Sequence, residues 1–251
     1  MKIMICGKGG CGKSTIASLL AREYTKNKNR VLVIDTDESN YGLHRQLGAE
    51  LPKDFTLYFG SKKGVFGHVD KNDPSVSPFE KKWTLDDIPA EYVTGNCGVR
   101  LMAIGKIHEA GEGCACAMGV LARHFIDNLI LSSNDIVIVD SEAGVEHFGR
   151  GVDAAVDVIL MIVDPSYESL MLSQKIQEMG KSIDKPVYYI LNKTNEAKQQ
   201  VMKSSISDSA AIIAAIPDNN DVLTKGLLGQ PLDCTVSEIN DILHFLAQSD
   251  A

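Results

Sequence analysis

Gly7-Lys8-Gly9-Gly10-Cys11-Gly12-Lys13-Ser14-Thr15 stands directly behind the apolar run Lys2 to Cys6. It leads into a segment in which Ile16, Leu19, Leu20 and Tyr24 recur at helical spacing. A strand, a glycine-rich turn and a helix in that order satisfy the pattern G-x-x-x-x-G-K-[ST] in the context it requires. The residue types have physical reasons. Glycines let successive backbone N–H groups point inward at a helix N-terminus, making a nest for an anion. In such a nest Gly7, Gly9, Gly10, Cys11 and Gly12 supply the cradle, and Lys13 reaches the β- and γ-phosphates of a nucleoside triphosphate. Ser14 ligates magnesium through its hydroxyl, and Thr15 contacts the α-phosphate. A bare strand-to-helix connection is the alternative, and the Gly-Lys-Ser that completes the run speaks against it.

Working outward, further short apolar runs follow: Val31 to Ile34, Leu101 to Ile104, Ile136 to Val139, Val156 to Val163, Val187 to Leu191 and Ile212 to Ile216. Such near-continuous apolar strands belong to sheets covered on both faces. Helical periodicity separates them, as in Ile176, Met179 and Ile183, or Val236, Ile239, Ile242, Leu243 and Leu246. The alternation predicts an α/β fold: a doubly wound, mostly parallel sheet flanked by helices. With 251 residues the chain suits a single domain spanning 1–251. Residues 51–97 break the rhythm and read as an insertion with a short hairpin.

Composition narrows the function. A net charge of −8 speaks against a surface built for nucleic acid, and basic residues cluster only in short pairs such as Lys62-Lys63 and Lys81-Lys82. The N-terminal apolar run is too short for a signal peptide, and no run approaches the roughly 20 apolar residues of a membrane span. Six cysteines spread unevenly through the chain do not read as a secreted disulfide framework. A reducing cytoplasm is the expected location.

Lys8 carries more information than the glycines. It makes the loop K-G-G-x-G-K-[ST], which resembles the deviant phosphate-loop motif of the ParA, MinD and nitrogenase iron-protein family. That resemblance implies a homodimer closing on two ATP molecules, with Lys8 reaching the nucleotide of the partner. It also implies ATP hydrolysis as the activity. Asp35-Thr36-Asp37 resembles the family's first switch, where Asp37 would position the attacking water. The run Ile136 to Asp140 resembles its magnesium-orienting strand. Asp140-Ser141-Glu142-Ala143-Gly144 resembles its second switch, where Gly144 would sense the γ-phosphate. At both strand ends a plain helix-capping aspartate is the alternative.

Asn192-Lys193-Thr194-Asn195 resembles the element by which GTPases read guanine. The fourth position is an amide and not an acceptor-only carboxylate, so adenine is expected, framed by Asn192, Pro217 and Asp218. Cys114 and Cys116, set among Gly111 and Gly113, form a bidentate pair of soft ligands suited to nickel, zinc or copper(I). Two thiolates are half of a closed four-coordinate site, and a two-fold axis would supply the rest. Two inert buried thiols are the alternative. Taken together, these features resemble the CooC-type accessory ATPases, which assist nickel insertion into carbon monoxide dehydrogenase. The implied ligands are ATP or ADP, magnesium, and nickel or zinc shared across the dimer; the implied partner is a client metalloenzyme.

Two other readings stand beside it. A nitrogenase-type reductase would need a cluster cysteine where this chain has Ala143. A partition or positioning ATPase would use a basic tail, and Thr235 to Ala251 has no lysine or arginine, so neither membrane nor nucleic acid is expected as partner. Cys6 and Cys11 read as structural, Cys97 as a spare thiol or a redox-sensitive site, Cys234 as inert. His108 reads as either an auxiliary ligand or a loop residue.

Overall fold

The computed structural model describes residues 1–68, 76–109 and 116–249. Among the described residues eight strands form one sheet: β1 (Lys2–Gly7), β2 (Arg30–Asp35), β3 (Thr94–Asn96), β4 (Val99–Ala103), β5 (Asp135–Asp140), β6 (Val158–Val163), β7 (Val187–Thr194) and β8 (Ile212–Pro217). Their order is β3-β4-β2-β5-β1-β6-β7-β8. All neighbours are parallel except β3 and β4, which are antiparallel. The chain therefore has the doubly wound architecture its apolar runs predict.

Side chains alternate between two cores, as a strand period of two requires. Ile3, Ile5, Val31, Val33, Ile138 and Leu160 face α1 (Lys13–Lys26), α2 (Leu43–Leu47) and α9 (Glu238–Ser249). Met4, Cys6, Leu32, Ile34, Val139 and Met161 face the other way. There they meet α4 (Cys116–Asn128), α6 (Tyr167–Ser182) and α7 (Glu196–Ser205), together with α3 (Lys62–His68). Two shorter helices, α5 (Glu146–Arg150) and α8 (Asn220–Leu227), lie at the C-terminal ends of strands β5 and β8. Val156, read from sequence as strand, instead closes the 3-10 turn Asp153–Ala155, and β6 starts two residues later.

The described residues of 51–97 hold more order than their composition announces. Phe55 opens the 3-10 turn Phe55–Phe59 and is fully buried. Phe79, Trp83, Tyr92 and Phe125 surround its ring at centroid distances of 6.3, 6.1, 5.5 and 4.9 Å. Aromatics that look scattered in sequence thus form one end of the core. β3 and β4 are joined through Cys97 and Gly98, both at positive φ (50° and 83°). Such a two-residue connection suits the twist of a hairpin.

Candidate nucleotide site

β1 delivers the chain to Gly7, whose φ is 145°. A Cβ there would lie 2.6 Å from Ile162 O and 2.8 Å from the Cys11 sulfur, so only glycine can leave the strand this close to β6. Gly12, at φ 106° and ψ 21°, caps α1, and a Cβ on it would collide with the Asn192 amide. Between them Cys11 N–H donates to Lys8 O (3.2 Å), and the Cys11 side chain is buried in the core beneath the loop. Lys13, the first residue of α1, is only 7% exposed, and its ammonium donates to Lys8 O (3.4 Å). The loop floors a cavity of about 930 Å³, lined among others by Gly9, Gly10, Ser14, Thr15, Asp37 and Asn192. That volume is of the size that encloses a drug-sized ligand.

The parallel strands β2 and β5 end side by side with Asp35 and Asp140 in register. Asp140 is fully buried; its Oδ2 accepts from Ser14 Oγ (2.6 Å) and its Oδ1 has no partner. Asn40 Nδ2 donates to the same Ser14 oxygen (2.8 Å). Burial pushes the Asp140 carboxyl up to about 7; negative Asp35 adds to the rise, and the Ser14 hydroxyl and Lys13 oppose it. A hydroxyl oxygen beside a carboxylate with an unused buried oxygen is the donor set a hard divalent cation takes. The residues present therefore fit magnesium.

Lys106 is the residue that sequence reading missed. It is fully buried, and its ammonium donates to Asp35 Oδ2 (2.6 Å) and to the backbone oxygens of Asp37 and Asn40 (2.5 Å each). Burial raises Asp35 to about 6, with the Lys106 charge pulling the other way. No motif surrounds Lys106; a lone lysine just past an apolar strand was the only signal in the sequence.

Asp37 lines the cavity, yet its Oδ1 accepts from Ser39 N–H (3.0 Å), Ser39 Oγ (2.7 Å) and Asn40 N–H (3.2 Å). One oxygen thus caps the loop that carries it. Gly144, at φ 87°, donates its N–H to Gly7 O (3.2 Å). Lys8 points along the chain's own surface, with Nζ 3.8 Å from Asp164 Oδ2.

Asn192, also on the cavity wall, donates Nδ2 to Cys11 O (2.8 Å). Pro217 and Asp218 line the cavity too, with Ile16, Ile216 and Leu223; the Asp218 carboxylate lies 3.1 Å from Lys198 Nζ. Asn195 serves a helix instead, its side chain accepting from Lys198 N–H (2.9 Å) as the N-cap of α7. The amide at that position is explained by helix capping. Lys193, at φ 57°, binds Gly10 O (2.7 Å) and so braces the phosphate loop from β7.

Cys114 lies outside the described residues with the rest of 110–115, and Cys116 enters only as the first backbone position of α4. Among the described residues no group of three or more His, Cys, Asp or Glu side chains could hold a metal ion. His108 Nε2 lies 2.8 Å from Asp54 Oδ2. Cys6 and Cys11 are buried, Cys97 is exposed and Cys234 half-buried. Among the described residues no helix is long and apolar enough to cross a membrane.

Comparison with known proteins gives this geometry its context. An uncharacterized ATP-binding protein of Methanocaldococcus jannaschii is 47% identical over 250 residues, covering 99% of this chain and 100% of its own. The carbon monoxide dehydrogenase accessory protein CooC of Rhodospirillum rubrum is 32% identical over 196 residues, 77% of this chain and 74% of its own. The crystal structure of the cell division ATPase MinD of Pyrococcus furiosus shares the fold at a TM-score of 0.66 and 15% identity, covering 99% of this chain and 98% of that one. Residues 2–232 match the family described as the CobQ/CobB/MinD/ParA nucleotide binding domain, and the chain belongs to that family.

Proposed function

We propose that the protein is a magnesium-dependent, ATP-hydrolysing homodimer that handles nickel or zinc for a client metalloenzyme. The observation that carries hydrolysis is the Ser14 hydroxyl held between Asp140 and Asn40 at the start of α1, next to buried Lys13. The inward N–H groups of the loop and Lys13 bind the β- and γ-phosphates. Magnesium, held by Ser14 and Asp140, would neutralise charge on those phosphate oxygens. The second oxygen of Asp37 orients the attacking water, and the Gly144 N–H exchanges Gly7 O for the γ-phosphate. The Oδ1 of Asn192 accepts from the exocyclic amine of adenine, which favours ATP over GTP. Lys8 leaves Asp164 to reach the nucleotide of a second copy, so dimerisation and turnover go together.

The metal half of the proposal rests on the C-x-C pair and on the likeness to a carbon monoxide dehydrogenase accessory protein. If Cys114 and Cys116 are half of a shared site, metal binding and dimerisation are linked by mass action. The metal is cargo, and carbon monoxide dehydrogenase is the client this likeness favours. Titration of nickel or zinc with sizing of the species is the test. One ion per two chains with a doubling of mass is expected, lost on Cys114→Ser or Cys116→Ser. One ion per chain at unchanged mass would refute the shared site. Lys8→Ala should keep ATP binding and lose both turnover and ATP-dependent dimerisation; unchanged turnover would remove the trans-acting lysine.

A further inference from the structure

A buried ammonium is tolerated only when its donors are met. The three N–H donors of Lys106 meet three acceptors, but only one of them, Asp35, is a carboxylate. A counter-ion for Asp35 would need no more than that contact. The other two donors hold the backbone of residues 37 and 40, the loop whose Asn40 side chain binds Ser14. The contact is returned from the other side. Ile107 N–H donates to Glu38 O (3.0 Å), and the Tyr41 hydroxyl donates to Ile107 O (2.5 Å). Lys106 N–H is itself pinned to Asp54 Oδ2 (3.1 Å). Loop 37–41 and segment 104–108 are thus stitched through main chain and side chain alike. The loop cannot shift without breaking two hydrogen bonds to a desolvated cation or carrying segment 104–108 with it.

We propose that Lys106 is a positioning residue that holds loop 37–40 in register with Ser14 and ties the position of that loop to segment 104–108. This role rests on the ATPase reading and adds the group that sets loop 37–40 for turnover. A nucleotide that draws the loop toward its γ-phosphate would carry segment 104–108 with it through one cation.

Lys106→Met alone strands Asp35 in the core and is expected to lose stability. The paired variant Asp35→Asn with Lys106→Met removes both charges together and separates charge burial from loop positioning. Expected for the pair are thermal melting near that of the wild type and affinity for a non-hydrolysable ATP analogue within about threefold. Turnover number should fall by about 20-fold or more with KM little changed, as for a group that acts only after binding. Wild-type turnover in the pair would reduce Lys106 to a counter-ion. Hydrogen exchange on the wild type tests the same idea without a variant. Exchanging ADP for the analogue should change protection of amides 36–41 and 104–109 together, and a response confined to 36–41 would overturn the coupling. Absence of ATP turnover by the wild type would instead sink the preceding reading, with the exchange result still judging the role of Lys106.

Discussion

Asp140 leaves one buried carboxyl oxygen without a partner and accepts a single hydrogen bond through the other. Both Asp140 and its neighbour Asp35 are raised above the carboxylate value of an unfolded chain, about 4. The native state therefore keeps protons that the unfolded chain has already lost. Stability contributed at these two positions falls as pH climbs from about 4 toward 7. Asp140→Asn should consequently stabilise the nucleotide-free protein by about 2–4 kcal/mol at pH 7.5 and by less than about 1 kcal/mol near pH 4. Denaturant unfolding at the two pH values measures this, and an equal effect at both would refute the buried-charge account. The same substitution should abolish magnesium-dependent turnover, since it removes the charge at the cation site. Stability is given up here for a function, as strained or desolvated sites commonly require.

The element scale explains what the residues alone do not. Helix α7 is capped by Asn195, whose side chain meets one of the orphan N–H groups of the first turn. Asn195→Ala should cost about 1 kcal/mol of stability, the ordinary worth of an N-cap, and leave the preference between ATP and GTP unchanged. Competition of the two nucleotides on the variant, with a parallel melt, checks both parts; a changed preference would return Asn195 to the pocket. Asn192, three positions earlier and still on β7, is the one that touches the loop. A difference of three residues separates a side chain on the strand, facing the cavity, from one that has turned to serve the next helix. Sequence spacing cannot express that, because the resembling pattern spans the strand end and the cap alike.

For the whole molecule, the sheet divides two cores, and the one beneath α4 is extended by residues 51–97. Phe55 sits at its centre, fully buried and ringed by aromatics from that segment and from α4. Phe55→Ala should destabilise by about 3–5 kcal/mol through lost burial and a residual cavity. Chemical denaturation measures it, and a loss below about 1 kcal/mol would mean that the segment contributes little to the fold. The same segment carries Asp54, which holds both Lys106 and His108. A stretch that reads as a polar interruption is thus both core and support for the nucleotide-facing loop.

By itself the sequence determined the strand, loop and helix that make the phosphate nest, the carboxylates at the ends of β2 and β5, and the doubly wound sheet. Each is written in contiguous residues, because burial on both faces demands apolar runs and a phosphate nest demands glycines and a lysine at fixed spacing. The tertiary structure alone decided that Lys106 is buried, that it grips Asp35 from 71 positions away, and that Asn40 reaches Ser14 across 26. Periodicity and motif describe a chain's near neighbours. Burying an ammonium depends instead on whether distant segments bring three acceptors to one point, and only the packed fold supplies them.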